Sequence, residues 1–532
     1  MNEKIKSGGT ILKADNYLLG MDCGTTNLKA IILGEDGTIV AEASRRNRFI
    51  SPGPNMQEQD AREWWNHTKE IFQEITQKAG RDVVDRIRGI AISSHTVSML
   101  PLDKDGNPLR NALTVLDSRS SEELNYIVNK IGYDRFVRIV GGQPAVAFLP
   151  NKILWYKKNE PELFARTACF LQASSYINYK LTRALTTDID QAIRTQCLDV
   201  HSMSWSKEIG DAIGVDLDRM LPKPLLVHEI IGEVTKEAAE ETGLVPGIPV
   251  VAGCSDAMAA MYATGITKLG EAGESSGTTS LVFIGSMRRN RLDAKVTTKP
   301  CPIEGMRWLY DAPIQSSGAT LKWFIETMAG DERAYAESNG KNIYTYLNEQ
   351  ALEAAPGSKG LLFFPYILGE RAPLWNDYAR GMFIGLGMDM TRAELTRSVF
   401  EGTAYALRHV IETIRKSGAD SHLLRICGGG AKSRTWSMIK ASILHMPVYV
   451  LDEKSGDVPV GDALIAGHKV GVFSDPAETV DRIIKVKEII DPIPEWEKAY
   501  DSYYPYYMKM YRHLDKDLRE LKETRDSLNG LA

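Results

Sequence analysis

Residues 17–33 read YLLGMDCGTTNLKAIIL, and this stretch decides the fold class. It holds two short apolar runs, 17–21 and 28–33, joined by a turn that contains Gly24. A third apolar run, 38–43, follows a second turn with glycine. Short apolar runs separated by glycine-containing turns predict an antiparallel meander of three strands.

Helical spacing follows the meander. It is present at 61–80 and, more weakly, at 151–157, and a strand signal lies between them at 87–93. Strands that alternate with helices along a chain are typical of α/β proteins, so we expect an α/β fold.

The turn of the first hairpin returns in the second half of the chain. Cys23-Gly24-Thr25-Thr26 leads into one apolar run, and Ser276-Gly277-Thr278-Thr279 leads into another at 282–284. The two turns lie about half of the chain apart, a spacing too long for a solenoid repeat. The repetition therefore predicts two homologous domains that face one cleft.

We place the domain boundary near 265–270. The expected units are an N-terminal domain over 15–265, a C-terminal domain over 266–490 and a helical tail over 491–532. The tail carries a Tyr-rich segment followed by charged residues at helical spacing. This pattern predicts a packing helix with a solvated outer face.

Composition excludes several classes of partner. The chain has 64 Lys and Arg against 69 Asp and Glu, a formal net charge of -5, and no long basic block, so we expect no nucleic-acid partner. We also expect no membrane contact, because no apolar stretch approaches the roughly 18 residues of a membrane span. The polar segment 1–10 lacks a targeting signal, and six scattered cysteines form no CxxC pair. The sequence therefore predicts a cytoplasmic protein and leaves a homodimer open.

Asp22 stands at the end of the first strand, just before the turn Gly24-Thr25-Thr26. Glycine lets the backbone approach a ligand closely, and the N–H groups and threonine hydroxyls of the turn can donate to phosphate oxygens. The Asp22 carboxylate can hold Mg²⁺ through water. The alternative is an ordinary hairpin with an Asx-type turn. Recurrence of the turn at 277–279 favours phosphate binding, because two facing turns can grip both ends of one triphosphate.

A glycine loop lies near the end of the second half. Residues 423–427 are typical of a strand, 428–430 are three glycines, and Ser433 is a predicted helix N-cap before 436–444. A glycine loop between strand and helix exposes N–H groups and leaves room for a base or a phosphate. The loop is not a Walker A motif, because the GxxxxGK[ST] spacing is absent.

Asp256 follows the apolar run 249–252 and enters a helix of small residues at 257–263. A carboxylate at this point can accept the proton of a hydroxyl that attacks a γ-phosphate, as a general base does in phosphoryl transfer. The alternative is an Asp that only caps the helix.

A further polar cluster follows two predicted strands: His95 and Thr96 after the first, Asp117 and Arg119 after the second. Polar groups at strand ends in α/β proteins are placed to bind a hydroxyl-rich ligand. Asp117 and Arg119 can instead form a structural ion pair. His95 has no partner at metal-ligand spacing, so we expect no zinc site.

In this order the motifs resemble those of the FGGY carbohydrate kinases, members of the actin-like ATPase superfamily that include glycerol kinase, xylulokinase and gluconate kinase. The resemblance covers nearly all of the chain before the tail. Its motifs are the first phosphate turn at 20–26, an E-Q-D…W-W segment at 58–65, a substrate strand at 116–119, a G-x-x-D at 253–256, the second phosphate turn at 276–279, the family signature at 381–386 with Glu394 and Glu401, and an adenosine loop at 428–433.

The resemblance implies two RNase H-like domains that close on a hinge, with ATP on the C-terminal half and a sugar on the N-terminal half. Closure excludes water, which would otherwise compete as phosphoryl acceptor. The implied cofactors are ATP and Mg²⁺, with Asp256 as the general base and with Asp22 and Asp256 as carboxylates linked to Mg²⁺.

The resemblance also assigns binding residues. Those for ATP are Gly24, Thr25, Thr26, Gly277, Thr278, Thr279, Gly428, Gly429, Gly430, Ala431 and Ser433. Those for the sugar are His95, Thr96, Asp117, Arg119 and Asp256.

The substrate is where this chain departs from its relatives. Residues 94–98 read Ser-His-Thr-Val-Ser, where xylulokinases typically have Gly-Gln-Met-His-Gly and glycerol kinases have Asn-Gln-Arg-Glu. The motif set as a whole is most similar to xylulokinases, so we expect a pentulose. A polyol or another sugar (erythritol, gluconate or glycerol) is the alternative. Two hypotheses from other classes are a non-kinase actin-like ATPase and a sugar sensor.

Overall fold

A computed structural model describes residues 14–289, 295–301, 303 and 305–529. The N-terminal segment 1–10, on which the predicted lack of a targeting signal depends, lies outside the described residues. Within the described part of the chain, no helix has the length and apolar character needed to cross a membrane.

The first half alternates strands and helices around one large sheet. Its strands are β1 (Tyr17–Cys23), β2 (Asn27–Gly34), β3 (Ile39–Arg46), β4 (Glu58–Gln59), β5 (Ile87–Ser94), β6 (Leu100–Leu102), β7 (Ala112–Leu113), β8 (Cys169–Leu171), β9 (Thr187–Asp188), β10 (Leu198–Asp199), β11 (Ser204–Trp205), β12 (Pro224–Leu225), β13 (Ile230–Glu233), β14 (Pro249–Val251) and β15 (Cys254–Ser255). Its helices are α1 (Ala61–Ala79), α2 (Arg81–Val84), α3 (Ser121–Ile131), α4 (Tyr133–Val140), α5 (Leu149–Asn159), α6 (Pro161–Arg166), α7 (Ala173–Thr182), α8 (Ile189–Arg194), α9 (Lys207–Ile213), α10 (Leu217–Met220), α11 (Lys236–Thr242) and α12 (Asp256–Thr264).

The second half is built in the same way. Its strands are β16 (Gly270–Ser276), β17 (Ser280–Ser286), β18 (Thr297–Pro300), β19 (Trp308–Ile314), β20 (Leu362–Phe364), β21 (Met382–Ile384), β22 (Ser421–Cys427), β23 (Val448–Leu451) and β24 (Val486–Ile490). Its helices are α13 (Gly318–Thr327), α14 (Gly330–Ser338), α15 (Ile343–Glu353), α16 (Arg392–Lys416), α17 (Arg434–Leu444), α18 (Val458–Lys469), α19 (Pro476–Ile483) and α20 (Pro494–Asn529).

The two large sheets share the order of four strands, β5-β1-β2-β3 in the first and β22-β16-β17-β19 in the second. The first runs β13-β14-β5-β1-β2-β3, with β15 paired to the end of β5, and the second runs β24-β23-β22-β16-β17-β19-β18. In each sheet the opening hairpin is antiparallel, and its first strand also pairs in parallel with a later strand. The predicted α/β fold is confirmed, and so is the three-stranded meander that opens the chain.

Apolar side chains from both halves form one continuous core. Leu18 and Ile31 of the first sheet, Phe283 of the second sheet and Leu464 of α18 are all buried in it. Complete burial of a side chain of this size stabilises the fold by about 1.5–3 kcal/mol. The two halves are therefore joined by core packing as well as by the chain itself.

Helix α18 comes late in the chain but packs on the first sheet, against β1 and β5, and also on α12. Two glycines permit this close approach. A Cβ atom on Gly20 of β1 would lie 1.9 Å from the carbonyl oxygen of Pro459, and one on Gly461 of α18 would lie 1.9 Å from the carbonyl oxygen of Ala259. Contacts this short are with backbone, which cannot rotate away, so both positions require glycine.

The long C-terminal helix α20 packs on the second half. Tyr500, Tyr504, Tyr507 and Tyr511, which recur at helical spacing, are buried in an apolar cluster there. The ring of Tyr507 stacks on Phe364 with centroids 4.5 Å apart. Aromatic burial thus fixes the first half of α20, and its charged second half is largely solvated.

We expect Gly461→Ala to lower the free energy of unfolding by about 1–3 kcal/mol, because the added methyl overpacks the crossing of α18 and α12. Urea unfolding followed by circular dichroism measures this. Gly330→Ala is the matched control, since a Cβ atom at that helical glycine meets nothing within 4 Å. Equal stability of the two variants would contradict the steric account.

Candidate active site

The C-terminal ends of β1, β5 and β15 bring several predicted residues to one edge of the first sheet. Asp22 of β1 lies opposite Ser93 of β5, and Cys254 of β15 pairs with the same Ser93. Asp256 follows β15 directly, as the first residue of α12. The two carboxylates proposed from the sequence therefore share one strand-end site, although they are far apart in the chain.

Asp22 has a buried oxygen available for a ligand. Its Oδ1 atom has no hydrogen-bond partner among the residues the structure describes, so an Asx-type turn does not account for this atom. Burial raises the pKa of Asp22 well above its usual range, and the carboxylates of Asp256 and Asp457 raise it further. A cation that approaches this carboxylate would stabilise its charged form.

The first phosphate turn is fixed through its carbonyl groups. The backbone N–H and the side-chain amide of Asn47 donate to the carbonyls of Thr26 and Gly24, each at 2.8 Å. The side-chain amide of Gln59 donates to the carbonyl of Thr25, also at 2.8 Å. With these carbonyls satisfied inside the domain, an anion that approaches the turn meets its N–H and hydroxyl groups without competing lone pairs.

The second phosphate turn is exposed at Gly277, Thr278 and Thr279 and is held by the start of α13. The N–H of Gly318 donates to the carbonyl of Gly277 at 3.2 Å, and the N–H of Ala319 donates to the carbonyl of Thr278 at 2.8 Å. The two turns occupy equivalent hairpins, β1–β2 and β16–β17, as the repeat predicts.

The glycine loop lies directly against the second phosphate turn. Gly428 has a positive φ of 85°, and a Cβ atom on it would lie 2.6 Å from the carbonyl oxygen of Ser276. Gly429, Gly430, Ala431 and Lys432 continue as a 3-10 turn. Ser433 is confirmed as the N-cap of α17, since its hydroxyl accepts from the N–H of Trp436 at 3.0 Å.

Asp256 is not the cap of its helix. The N-cap of α12 is Ser255, whose hydroxyl accepts from the N–H of Met258 at 3.2 Å, so the simple-cap alternative for Asp256 is wrong. The Asp256 carboxylate accepts from the N–H of Ala257 at 2.7 Å. Burial raises the pKa of Asp256 to about 6, although the nearby guanidinium of Arg194 acts in the opposite direction. A carboxyl group with this pKa can take up and release a proton near neutral pH.

Asp117 and Arg119 bind each other. Arg119 Nη2 donates to Asp117 Oδ2 at 2.7 Å and to Glu58 Oε1 at 2.8 Å, and the guanidinium lies over the ring of Trp155. Asp117 also accepts from the backbone N–H of Gln57 at 2.7 Å. The ion pair that the sequence left open is therefore present, and it fastens the segment around residue 117 to β4.

His95 follows β5 directly and is buried against the end of β1. Its Nδ1 atom lies 3.0 Å from the carbonyl oxygen of Cys23, and its ring makes an edge contact with Trp64. Its Nε2 atom has no hydrogen-bond partner within the described residues, and the neighbouring Thr96 is half-buried. Burial lowers the pKa of His95 to about 4, so the imidazole is neutral at physiological pH.

Sequence reasoning missed several residues that shape this site. Asn47 carries no signal of its own, because an amide that supports a turn looks like any surface amide. Gln59 belongs to the E-Q-D motif, but the motif did not show that its amide binds the carbonyl of Thr25. Arg194 could have been found through its i,i+4 spacing from Asp190 on α8, which is the spacing of a helical ion pair.

Two family models match successive parts of the chain. The N-terminal domain of the FGGY family of carbohydrate kinases matches residues 17–263, and the C-terminal domain matches residues 274–470. The chain belongs to the FGGY family of carbohydrate kinases. It is a sugar phosphotransferase, which sets aside the ATPase and sensor alternatives.

Relatives of this FGGY kinase cover nearly its whole length. A xylulose kinase of Bacillus subtilis (strain 168) is 29% identical over 504 residues, 94% of this chain and 98% of that protein. A gluconokinase of the same strain is 27% identical over 516 residues, 96% of this chain and 98% of that protein. The crystal structure of xylulose kinase from Rhodospirillum rubrum has a TM-score of 0.86 at 27% identity, and covers 95% of this chain and 100% of that chain.

The signature residues of this FGGY kinase have structural roles. Glu394 completes a capping box with Thr391 at the start of α16. Glu401 accepts from the N–H of Gly357 at 2.9 Å and from the guanidinium of Arg397 at 2.8 Å. The signature thus fixes α16 and the loop before β20 in the domain that the resemblance assigns to ATP.

We expect the kinase to lose about 2 kcal/mol of stability between pH 7 and pH 5 through His95, because the unfolded chain binds a proton below pH 6.5 that the folded chain does not bind until about pH 4. The sign follows from the lowered pKa: stability is present above pH 6.5 and falls with pH. Urea unfolding at both pH values measures the loss.

The comparison variant is His95→Gln, which does not titrate in this range. Between pH 7 and pH 5 its free energy of unfolding should fall by less than that of the wild type. The difference between the two proteins should equal the loss attributed to His95. An identical pH dependence in both proteins would show that the unfolded and folded states bind this proton equally.

Proposed function

We propose that this kinase transfers the γ-phosphoryl group of ATP to a hydroxyl of a small sugar, with a pentulose as its leading substrate. The observation that carries the proposal is the position of Asp256. It begins α12 at the strand-end edge of the first sheet, the edge at which β1 ends in Asp22 and Cys23, and its carboxylate is close enough to raise the pKa of Asp22.

In the proposed mechanism Asp256 is the general base. Its pKa of about 6 leaves it ionised at neutral pH, ready to accept the proton of a sugar hydroxyl as that oxygen attacks the γ-phosphorus. The γ-phosphoryl group moves to the sugar oxygen, and ADP leaves with the bridging oxygen. Asp256 later returns the proton to solvent.

The phosphate turns hold the nucleotide in this proposal. Gly24, Thr25 and Thr26 would meet one end of the triphosphate, and Gly277, Thr278 and Thr279 the other. The loop from Gly428 to Ser433, which touches the second turn, would lie along the adenosine. Backbone N–H groups in such turns bind phosphate without the desolvation cost of a buried lysine.

Asp22 and Asp256 are the residues that would hold Mg²⁺. Mg²⁺ is usually bound by one or two carboxylates together with waters and substrate phosphates, and the unpartnered Oδ1 of Asp22 fits that pattern. The described residues contain no group of three or more His, Cys, Asp or Glu side chains arranged as a metal site, which also suits an ion held mainly by phosphate and water. When bound, the ion neutralises charge on the phosphates.

The substrate proposal is supported by the relatives. Proteins named xylulose kinase and gluconokinase align over nearly the whole chain at similar identity. A pentulose is therefore the leading candidate, and an aldonate such as gluconate is the second. His95 and Thr96 lie at the strand-end site and are the proposed sugar contacts there, together with Asp256.

We also propose a reducing, cytoplasmic location. All six cysteines are free in the structure, and five of them are buried. Burial raises the pKa of Cys23 and of Cys254, so these thiols stay protonated and unreactive beside the catalytic carboxylates.

We expect Asp256→Asn to reduce kcat by roughly 10²- to 10⁴-fold, because the amide cannot accept the hydroxyl proton. Coupled ADP release with Mg-ATP across ketoses, aldonates, polyols and glycerol measures turnover and identifies the substrate. Calorimetry with ADP at saturating Mg²⁺ should show that nucleotide binding is retained, which separates a loss of chemistry from a loss of nucleotide. Asp211→Asn, an exposed aspartate of the same domain, is the control. Near wild-type kcat in Asp256→Asn would remove Asp256 from the mechanism.

We expect Asp22→Asn to raise the Mg²⁺ concentration needed for half-maximal ADP binding by roughly 10-fold, as loss of a carboxylate near a bound metal does. Calorimetric titration with ADP at a series of Mg²⁺ concentrations measures this without any turnover. The same Mg²⁺ dependence in variant and wild type would exclude Asp22 from the metal site.

A further inference from the structure

Four charged side chains, three of them buried and the fourth partly buried, form an ion cluster where the two halves of the molecule meet. Asp190 and Arg194 come from α8 in the first half, and Lys299 and Asp311 come from β18 and β19 in the second. Arg194 Nη2 lies 2.6 Å from Asp311 Oδ2, and Lys299 Nζ contacts both aspartates, 3.2 Å from Asp190 Oδ1. Two cations and two anions balance, so the cluster is neutral.

This cluster touches the residue that precedes the proposed general base. Both the N–H and the hydroxyl of Ser255 donate to Asp190 Oδ2, the N–H at 3.1 Å. The other oxygen of Asp190 accepts from Arg194 Nε at 3.3 Å and contacts Lys299. Asp190 is therefore held by cations on one side and holds the start of α12 on the other.

We propose that Arg194 is a positioning residue for Asp256. Arg194 fixes Asp190, Asp190 fixes Ser255, and Ser255 sets the direction in which Asp256 leaves the sheet. The inference rests on the proposed role of Asp256 as the general base.

The same arrangement ties the geometry of the base to the second half of the molecule. Asp311 and Lys299 supply half of the charges in the cluster, and both side chains are almost completely buried. Without Asp311 and Lys299, Asp190 and Arg194 would lose ion-pair partners and the anchor of Ser255 would be weaker. The geometry of the proposed base thus depends on residues from both halves.

The first test measures the anchor itself and needs no substrate. Hydrogen–deuterium exchange of the full chain should be faster in Arg194→Met than in the wild type for the peptide that contains the Ser255 N–H. Exchange of the peptide that contains the glycine loop at 428–430 should be unchanged. Equal exchange at Ser255 in variant and wild type would overturn the proposal.

The second test measures turnover with D-xylulose and with gluconate. Arg194→Met should reduce kcat by roughly 10- to 100-fold, the cost of a general base displaced by about an ångström. The KM for ATP should stay within about 2-fold, since the nucleotide contacts are elsewhere. Arg194→Lys, which keeps the charge, should recover most of the lost kcat. Arg135→Met, which breaks an exposed ion pair of the same domain with Glu208, is the control and should match the wild type.

Removal of one buried charge can prevent folding, so the design also includes a variant that changes no charge. Ser255→Ala keeps all four charges and removes one of the two hydrogen bonds to Asp190, together with the N-cap hydrogen bond to the N–H of Met258. Its kcat should fall by roughly 3- to 10-fold, with Mg-ADP binding unchanged. Wild-type kcat in both Ser255→Ala and Arg194→Met would overturn the positioning role.

A double variant tests whether both halves act through one cluster. Arg194→Met and Asp311→Asn should each lower kcat, and the double variant should be no slower than the worse single variant. Losses that multiply would show independent action and overturn the coupling. If Asp256→Asn loses turnover and Arg194→Met keeps wild-type turnover, only the positioning role of Arg194 is contradicted. If Asp256→Asn keeps wild-type turnover, the proposed general base is contradicted.

Discussion

The close passage of α18 between the first sheet and α12 is the constraint on which the rest of the structure depends. It requires glycine at position 20 and at position 461, because backbone carbonyls occupy the space where side chains would begin. Since α18 comes from the second half of the chain, this contact fixes one half relative to the other. It also fixes the backbone near the two site carboxylates, because Gly20 lies two residues before Asp22 and Ala259 lies three residues after Asp256.

Burying carboxylates at this junction costs free energy, and ion pairs offset that cost for two of them. Asp190 and Asp311 are paired with Arg194 and Lys299, so their charges are compensated inside the protein. Asp22 and Asp256 have no such ion pair among the described residues, and burial raises the pKa of both, as it does that of Asp311. In the proposed mechanism, the paired carboxylates support the framework, and the two without an ion pair are the ones that meet a cation and a proton.

Much of the fold could be predicted from local signals. The Gly-Thr-Thr hairpins, the strand before the glycine loop and the Ser433 cap depend on neighbouring residues, and all of them agree with the structure. Contacts between distant segments could not be predicted. The sequence could not show that Ser255 rather than Asp256 caps α12, because either residue can cap a helix. Nor could it show that Arg194 meets Asp311, since no local pattern links residues so far apart.

Sugar recognition remains the part of the site that the fold determines least. Arg119 makes its hydrogen bonds to Asp117 and Glu58, so its guanidinium is largely occupied within the N-terminal domain. The observed contacts of this pair are those of an ion pair that holds the segment around residue 117 to β4. His95 differs, because Nε2 is buried without a partner in the described chain. A buried nitrogen without a partner costs free energy unless a ligand supplies one, so a hydroxyl at this point would be selected over an analogue that lacks it.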